Sequence, residues 1–392
     1  TYRWKNTIGP RQTRLGLKNT WGYHQSMALG YYEYFQLCED LGMEPLPILP
    51  CGVSCQGTNG GWSMKEQAQD VVPMSEMDEW VDEALDLIEW ANGDVNTKWG
   101  KKRAEQGHPK PFNLKYLGIG NEDLISPTFE ERYLMICKAV KEKYPDITIC
   151  GTAGPFYYGS DYEEGWRIAT QNKDVIGMVD EHYYLPPSWY IYNQDYYDHY
   201  DRTAPKVYLG EWAAHVPGRK STIETALCEA LHYCSLERNG DVVEMSSYAP
   251  LLAKDGHTQW NPDMIYFNNT EVKPTVGYYA QMMCGQSAGN EYLPSSIRTD
   301  NRQSGVGERL AVSTVRNTES GKTYLKLVNV LNHDVEAHLQ LQGVLSGEKV
   351  CKRTVLTGAY DSTTARPSED TVTLSPDCKY VMPAYSFTLI EL

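Results

Sequence analysis

Two glutamates close two apolar strands in the same way, and that repetition is where chemistry can be read in this sequence. The first lies in Tyr116-Leu117-Gly118-Ile119-Gly120-Asn121-Glu122-Asp123, where Leu117 and Ile119 can face a core while Asn121, Glu122 and Asp123 are costly to bury. The second stands 89 residues later, in Lys206-Val207-Tyr208-Leu209-Gly210-Glu211-Trp212, again a strand ending on glycine and glutamate. Parallel β/α units collect the C-terminal ends of their strands on one face, so Glu122 and Glu211 are candidates for one site. Hydrolysis of a glycosidic bond through a covalent intermediate needs such a pair. One carboxylate attacks, and one carboxylic acid protonates the leaving oxygen and later deprotonates water. Carboxylates about 5 Å apart give retention of configuration, and about 7 Å or more gives inversion.

A third strand end, Met178-Val179-Asp180-Glu181-His182-Tyr183-Tyr184, puts His182 and Tyr184 on one strand face and Glu181 and Tyr183 on the other. Tyr184 can donate to a nucleophilic carboxylate and favour its charged form. His182 is a candidate for the same pocket through its neighbourhood; alone it would read as a structural histidine. Asn121 can hydrogen-bond a sugar hydroxyl or orient the acid. In Gln259-Trp260-Asn261, Trp260 offers a ring for stacking at the same rim, or simply packs on the strands behind it.

The elements that must position these residues alternate. Helices are expected over residues 31–41, closed by Gly42, then 75–90 with Ser75 as N-cap, 128–144 closed by Pro145, 162–172, 221–238 and 275–283. Strands are expected at 44–50, 115–120, 147–152, 177–184, 207–211 and 242–248, with loops over residues 1–25 and from Cys51 to about residue 70. This predicts an α/β fold, a TIM (β/α)8 barrel of which six of eight strands are visible, the first strands being expected upstream of Thr1. After about residue 290 the period falls to two, over 309–315, 324–331, 335–341, 352–356, 371–374 and 386–390. The domains are therefore read as a barrel over 1–288 and an all-β sandwich over 289–392.

Composition narrows the partners. With 41% hydrophobic residues in 392, the chain can bury a sizeable core, and a net charge of −15 disfavours nucleic acid or an anionic membrane. The 29 tyrosines and 10 tryptophans suit stacking on sugar rings as well as core filling. Ten cysteines include no CxxC pair and no histidine cluster for zinc, so buried thiols are expected rather than a metal or disulfide framework. No apolar run is long enough to span a bilayer. The opening Thr1-Tyr2-Arg3-Trp4 lacks a Met, so a leader or upstream segment is expected to be absent from these residues.

Taken in order, Arg3-Trp4-Lys5 with Ile8-Gly9-Pro10-Arg11, the run from Gly30 through Gly42, the Gly120-Asn121-Glu122 tip, Asp180 to Tyr184, Leu209-Gly210-Glu211-Trp212, Ser247-Tyr248-Ala249-Pro250 and Trp260-Asn261-Pro262-Asp263 resemble glycoside hydrolase family 51. The nearest flavour is the α-L-arabinofuranosidases of its plant-like branch. The resemblance covers nearly the whole chain, whereas the glycine-asparagine-glutamate tip alone is shared across a wider clan of retaining barrel glycosidases. It implies Glu122 as acid/base, Glu211 as nucleophile, Asn121 as ligand of the sugar 2-hydroxyl, and His182 and Tyr184 as pocket residues. It further implies a TIM barrel beside a β-sandwich, catalysis without a metal or other cofactor, and possible homo-oligomers. Members of the family carry residues before the segment matching Thr1 that supply the first strands and further sugar contacts, so a companion N-terminal segment is expected to complete the barrel. Where members often have an asparagine-glycine turn, this chain has Pro50-Cys51-Gly52.

The leading expectation is a retaining exo-acting enzyme releasing arabinose from arabinoxylan, arabinan or their oligosaccharides, secreted or periplasmic rather than cytoplasmic. Two rivals stay open: a retaining endo-glucanase or xylanase of the same clan, with an open cleft instead of a blind pocket, and a non-catalytic carbohydrate-binding protein.

Overall fold

The computed structural model describes residues 2–19, 21–55, 69–301, 303 and 305–392. Most of the loop expected after Cys51 thus lies outside the described residues. The chain divides into two compact units, one of Thr1–His182 with Thr203–Tyr208 and the other of Tyr183–Arg202 with Leu209–Leu392.

In the first unit, the residues expected to be a loop fold instead into two 3-10 turns, Trp4–Thr7 and Arg11–Thr13, and two paired two-residue strands at Leu17–Lys18 and His24–Gln25. Helix α1 (Tyr31–Leu41) starts where the Glu33 carboxylate accepts the Gly30 N–H, and stops at Gly42 with φ +67°, a conformation costly for any residue with a Cβ. Strand β1 is only Ile48–Leu49, shorter than expected, because Pro45, Pro47 and Pro50 have no N–H to give a ladder. The pairing holds through carbonyls instead: Gly118 N–H donates to Pro47 O and Gly120 N–H to Leu49 O.

Helix α2 spans Met77–Asn92 after a 3-10 turn at Met74–Glu76, so Ser75 is not its N-cap; Glu76 holds that place and makes no side-chain cap bond. Helix α3 (Lys98–Glu105), capped by Thr97 accepting from Gly100 N–H, was not legible, since its run of lysines around Gly100 shows little apolar period. Then follow β2 (Tyr116–Ile119), α4 (Pro127–Lys143), β3 (Thr148–Thr152), α5 (Ser160–Gln171) and β4 (Ile176–Leu185). Strands β1 to β4 pair in parallel, with Leu49 opposite Ile119, Leu117 opposite Ile149 and Gly151 opposite Val179. The fully buried Leu117, Ile119 and Ile149 fill the core, each worth roughly 1.5–3 kcal/mol over exposure. Phe35 of α1 joins it, its ring 5.3 Å from both Trp90 and Phe112.

Strand β5 (Lys206–Ala214) and strand β6 (Val243–Tyr248) extend the same sheet, whose order is β1-β2-β3-β4-β5-β6. The six strands are those expected. In the second unit the short helix α6 (Pro187–Tyr192), with a proline in its first turn, had been missed. Helix α7 (Ile223–Arg238) is buried along most of its length and packs on α8 (Val276–Gly285). The period-two region folds as β7 (Glu291–Leu293), β8 (Leu310–Asn317), β9 (Lys322–Asn329), β10 (Val335–Gln340), β11 (Lys349–Thr357), β12 (Ser368–Leu374), β13 (Asp377–Met382) and β14 (Ser386–Glu391). One antiparallel sheet runs β7-β8-β9-β14-β11-β12, and β10 pairs with β13. Strands β7 and β13 were not anticipated, being short or interrupted by charges. Seven of the ten cysteines are buried, used as small apolar side chains.

Candidate active site

The tip of β2 is built on an unusual backbone. Gly120 has φ +82° and Glu122 φ +51°, so the chain turns sharply twice in three residues. A Cβ on Gly120 would lie 2.7 Å from Asp123 Oδ2 and 2.9 Å from Thr152 Cγ2, so glycine is required for space as well as for conformation. Two hydrogen bonds hold the turn: Asn121 N–H donates to Asp123 Oδ2 at 2.8 Å, and Glu122 N–H donates to Thr152 Oγ1, at the end of β3, at 3.1 Å. Asp123 is 3% exposed, and burial pushes its carboxyl up to about 7. Cys51 Sγ lies 3.8 Å from the same Oδ2. Neither Asp123 nor Thr152 was singled out in the sequence, because their roles come from tertiary contacts that no local pattern reports.

Glu122 emerges from this turn with Oε1 2.9 Å from His182 Nδ1, and the His182 side chain is 2% exposed. His182 Nε2 approaches Asp180 Oδ1 to 3.2 Å, within ion-pair range though without hydrogen-bond alignment. The imidazole thus sits between two carboxyl groups. With its proton on Nε2, towards Asp180, Nδ1 is left as an acceptor for a protonated Glu122; with both nitrogens protonated it donates to an ionised Glu122. The imidazole can therefore hydrogen-bond Glu122 in either protonation state of that carboxyl group. Asp180 precedes His182 by two residues, and that same-face spacing was the available signal for it. The side chain of Asn121 is half-buried beside Glu122 in sequence.

In the second unit, Tyr184 donates through its hydroxyl to Glu211 Oε2 at 2.7 Å. Its ring stacks on His215 (5.2 Å, 15°) and tilts against Trp260 (5.1 Å, 58°). The Arg219 guanidinium caps Trp260 at 4.4 Å. Burial, and after it the Arg219 cation, push the His215 imidazole down to about 4, so it is neutral near pH 7. His215, four residues beyond Glu211, carries no local sequence signal, because the ring it stacks on lies 31 residues earlier in the chain. The alternation on β4 is as expected: Glu181 accepts from Trp166 Nε1 at 2.9 Å, and Tyr183 OH lies 2.9 Å from Tyr197 OH and 2.8 Å from His232 Nε2. Behind β5, Ala214 N–H donates to Glu229, whose carboxyl burial raises to about 8.

The structure thus brings Glu122 and His182 together in one unit, and Glu211, Tyr184 and Trp260 together in the other. An α/β sheet with glutamates at the tips of β2 and in β5, followed by an antiparallel β-region, defines the class of barrel glycoside hydrolases with a β-sandwich. Residues 1–202 match the family described as "Alpha-L-arabinofuranosidase 1 domain", and 197–387 match "Alpha-L-arabinofuranosidase C-terminal domain". The chain belongs to the α-L-arabinofuranosidases of glycoside hydrolase family 51. It is 41% identical over 300 residues to the extracellular exo-α-L-arabinofuranosidase of Streptomyces chartreusis, an alignment covering 76% of this chain and 34% of that protein. With α-L-arabinofuranosidase 1 of Arabidopsis thaliana the identity is 31% over 416 residues, covering 100% of this chain and 56% of the relative. The solved structure of arabinose-bound MgGH51 α-L-arabinofuranosidase superposes with a TM-score of 0.85 at 27% identity, covering 100% of this chain and 61% of that one. The chain therefore spans from about a third to three fifths of the length of these relatives.

Proposed function

We propose that this chain carries the catalytic carboxylates of a retaining exo-α-L-arabinofuranosidase acting on terminal arabinofuranosyl residues of arabinoxylan, arabinan or their oligosaccharides. In this reading Glu211 attacks the anomeric carbon while Glu122 gives its proton to the leaving oxygen, forming an arabinosyl ester on Glu211. Glu122, now ionised, takes a proton from water, and the hydroxide equivalent displaces Glu211 to release arabinose with its configuration kept. Asn121 serves the sugar 2-hydroxyl, and Trp260 lines the rim.

The observation that supports the reading best is on β4: two residues on one face, His182 and Tyr184, each hold one of the two strand-end glutamates. The partner of Glu122 can accept or donate, which suits an acid/base. The Tyr184 hydroxyl donates to Glu211, which favours the ionised carboxylate that a nucleophile needs. We further propose that the barrel domain ends at residue 288 and the sandwich follows, that strands outside these residues complete the eight, that the enzyme can assemble as a homo-oligomer, and that it works outside the cytoplasm. Among the described residues no helix is long and apolar enough to cross a membrane.

The test is hydrolysis of p-nitrophenyl α-L-arabinofuranoside, with the proposed companion segment supplied if the chain alone is silent. Glu211→Ala should be inactive. Glu122→Ala should keep slow turnover that azide raises, yielding an arabinosyl azide of retained configuration. An active Glu211→Ala, or no hydrolysis by the completed barrel, overturns the assignment.

A further inference from the structure

We propose that Phe156 and Tyr158 form a stacking platform for the sugar on the leaving-group side of the scissile bond, and that this sugar is a pyranose of a xylan backbone. The proposal rests on the reading in which Glu122 is the acid that protonates the leaving oxygen. All the residues concerned lie in the first unit.

The connection between β3 and α5 is fastened to the turn that carries Glu122. Thr152 Oγ1 accepts the Glu122 N–H and the Gly154 N–H, both at 3.1 Å, so one hydroxyl at the end of β3 anchors the acid and the loop that follows. The loop returns at Asp161, whose Oδ1 accepts the Ile125 N–H at 2.9 Å. A Cβ on Gly154 would lie 2.6 Å from Asp161 Cβ and 3.8 Å from Asp123 O, so both ends of the loop close on that turn. Residues 152–155 are buried and form its base. Strands β2 and β3 are parallel, and the loop therefore rises from the same edge of the sheet as Glu122. Phe156 is four residues past Thr152, a stretch of at most about 14 Å.

Two rings stand on this base in water. Tyr158 and Phe156, 66% and 58% exposed, are the two most exposed aromatic side chains among the described residues, and Phe156 is the one exposed phenylalanine of six. The half-buried Tyr157 ring braces Tyr158 edge-on at 4.8 Å and 72°. Apolar rings gathered at the edge of a site, rather than scattered singly, mark a contact surface. The occupant follows from position and surface. A proton given by Glu122 goes to the oxygen of the departing sugar, so that sugar stands beside the turn, where the loop is. The Phe156 ring brings neither charge nor hydrogen bond, which leaves C–H faces as its contact. A xylopyranose has its hydroxyls equatorial, and its axial C–H bonds make a flat apolar face that such a ring can cover. A furanose is puckered and carries a hydroxymethyl group out of plane, a poorer match. Arabinose borne on xylan is thereby favoured over arabinan.

The experiment uses the full chain together with the proposed companion segment. It compares kcat/KM on an arabinofuranosyl xylotriose with kcat/KM on methyl α-L-arabinofuranoside, whose leaving group has no ring to stack. In Phe156→Ala with Tyr158→Ala the ratio of the two should fall by about tenfold or more, mainly through KM. Phe156→Trp with Tyr158→Trp should hold the ratio near the parent's, and Phe156→Leu with Tyr158→Leu should not restore it. A ratio unmoved by the alanine pair, or restored by the leucine pair, overturns the platform. An equal loss on linear arabinotriose overturns the choice of a pyranose. The same substitutions in a Glu122→Gln, Glu211→Gln background, titrated calorimetrically with the branched xylotriose, read the platform without turnover. Binding indifferent to the alanine pair sinks it. If the parent hydrolyses no arabinoside while the alanine pair still weakens binding, the arabinofuranosidase reading alone falls.

Discussion

Tyr184→Phe removes the hydroxyl that donates to Glu211 and keeps the ring. The phenylalanine ring keeps the stack on His215 and the tilted contact with Trp260, while the 2.7 Å donation to Glu211 Oε2 disappears. A hydrogen bond to a charged group contributes roughly 1.5–3 kcal/mol. If Glu211 is the nucleophile, that donor fixes the oxygen that attacks and keeps it ionised. At 1.36 kcal/mol per decade, kcat/KM should fall about 10- to 150-fold. Initial rates of p-nitrophenolate release give the ratio, and calorimetry should find the thermal midpoint almost unmoved. A change of less than about threefold, below roughly 0.7 kcal/mol, would refute the reasoning, because the hydroxyl would then not be holding a reacting group. A loss equal to that of Glu211→Ala would refute it too, since one hydrogen bond cannot account for so much.

Gly120→Ala meets two penalties at once: a left-handed backbone at φ +82°, costing about 1–2 kcal/mol for an L-residue, and a Cβ 2.7 Å from the Asp123 carboxylate. Its thermal midpoint should drop and its arabinosidase rate fall by more than tenfold; an unchanged midpoint in calorimetry would contradict the turn geometry. Glu229 gives a pH effect of definite sign. Its folded carboxyl ionises at about 8, above the unfolded value near 4.3, so between those values the folded state holds a proton that the unfolded state has released. Stability from this group is therefore full at low pH and declines as pH rises from about 4 to about 8, by an amount of the order of 3–5 kcal/mol. Glu229→Gln should flatten that decline, so that urea unfolding at pH 5 and pH 8 differs less in the variant than in the parent; equal slopes in both would show that Glu229 is not the group responsible.

What could be read beforehand was whatever a strand or helix writes into its own residues. Tyr31–Leu41 carries its period and its terminating Gly42, and the glutamate tips follow apolar strands whose alternation is local. The apolar residues of the 44–50 run predict a full strand, but Pro45, Pro47 and Pro50 lack the N–H groups a longer ladder needs. Helix α3 hid behind lysines that pack on Trp99 by their charges, with Lys102 Nζ over its ring. In the candidate site, the same-face spacing of His182 and Tyr184 and the strand-end places of Glu122 and Glu211 were legible, and the structure pairs His182 with Glu122 and Tyr184 with Glu211. Thr152, Asp123 and His215 were not, since each matters by meeting a residue brought to it by another element: the amide of Glu122, the turn around Gly120, and the ring of Tyr184.

Strand β4 is a message carried on two tracks. Odd positions Glu181 and Tyr183 are spoken for by Trp166, Tyr197 and His232, and even positions His182 and Tyr184 by the two glutamates. Deleting or inserting a single residue anywhere between Ile176 and Glu181 would not remove one contact; it would exchange the tracks, sending the imidazole and the phenol to the side now packed against α5 and α7 and glutamate to the other. A point substitution degrades one letter, whereas a frame change of one residue rewrites every letter after it. Length in this stretch is thus held fixed by the site itself, and variation in length has to be absorbed in the loops on either side.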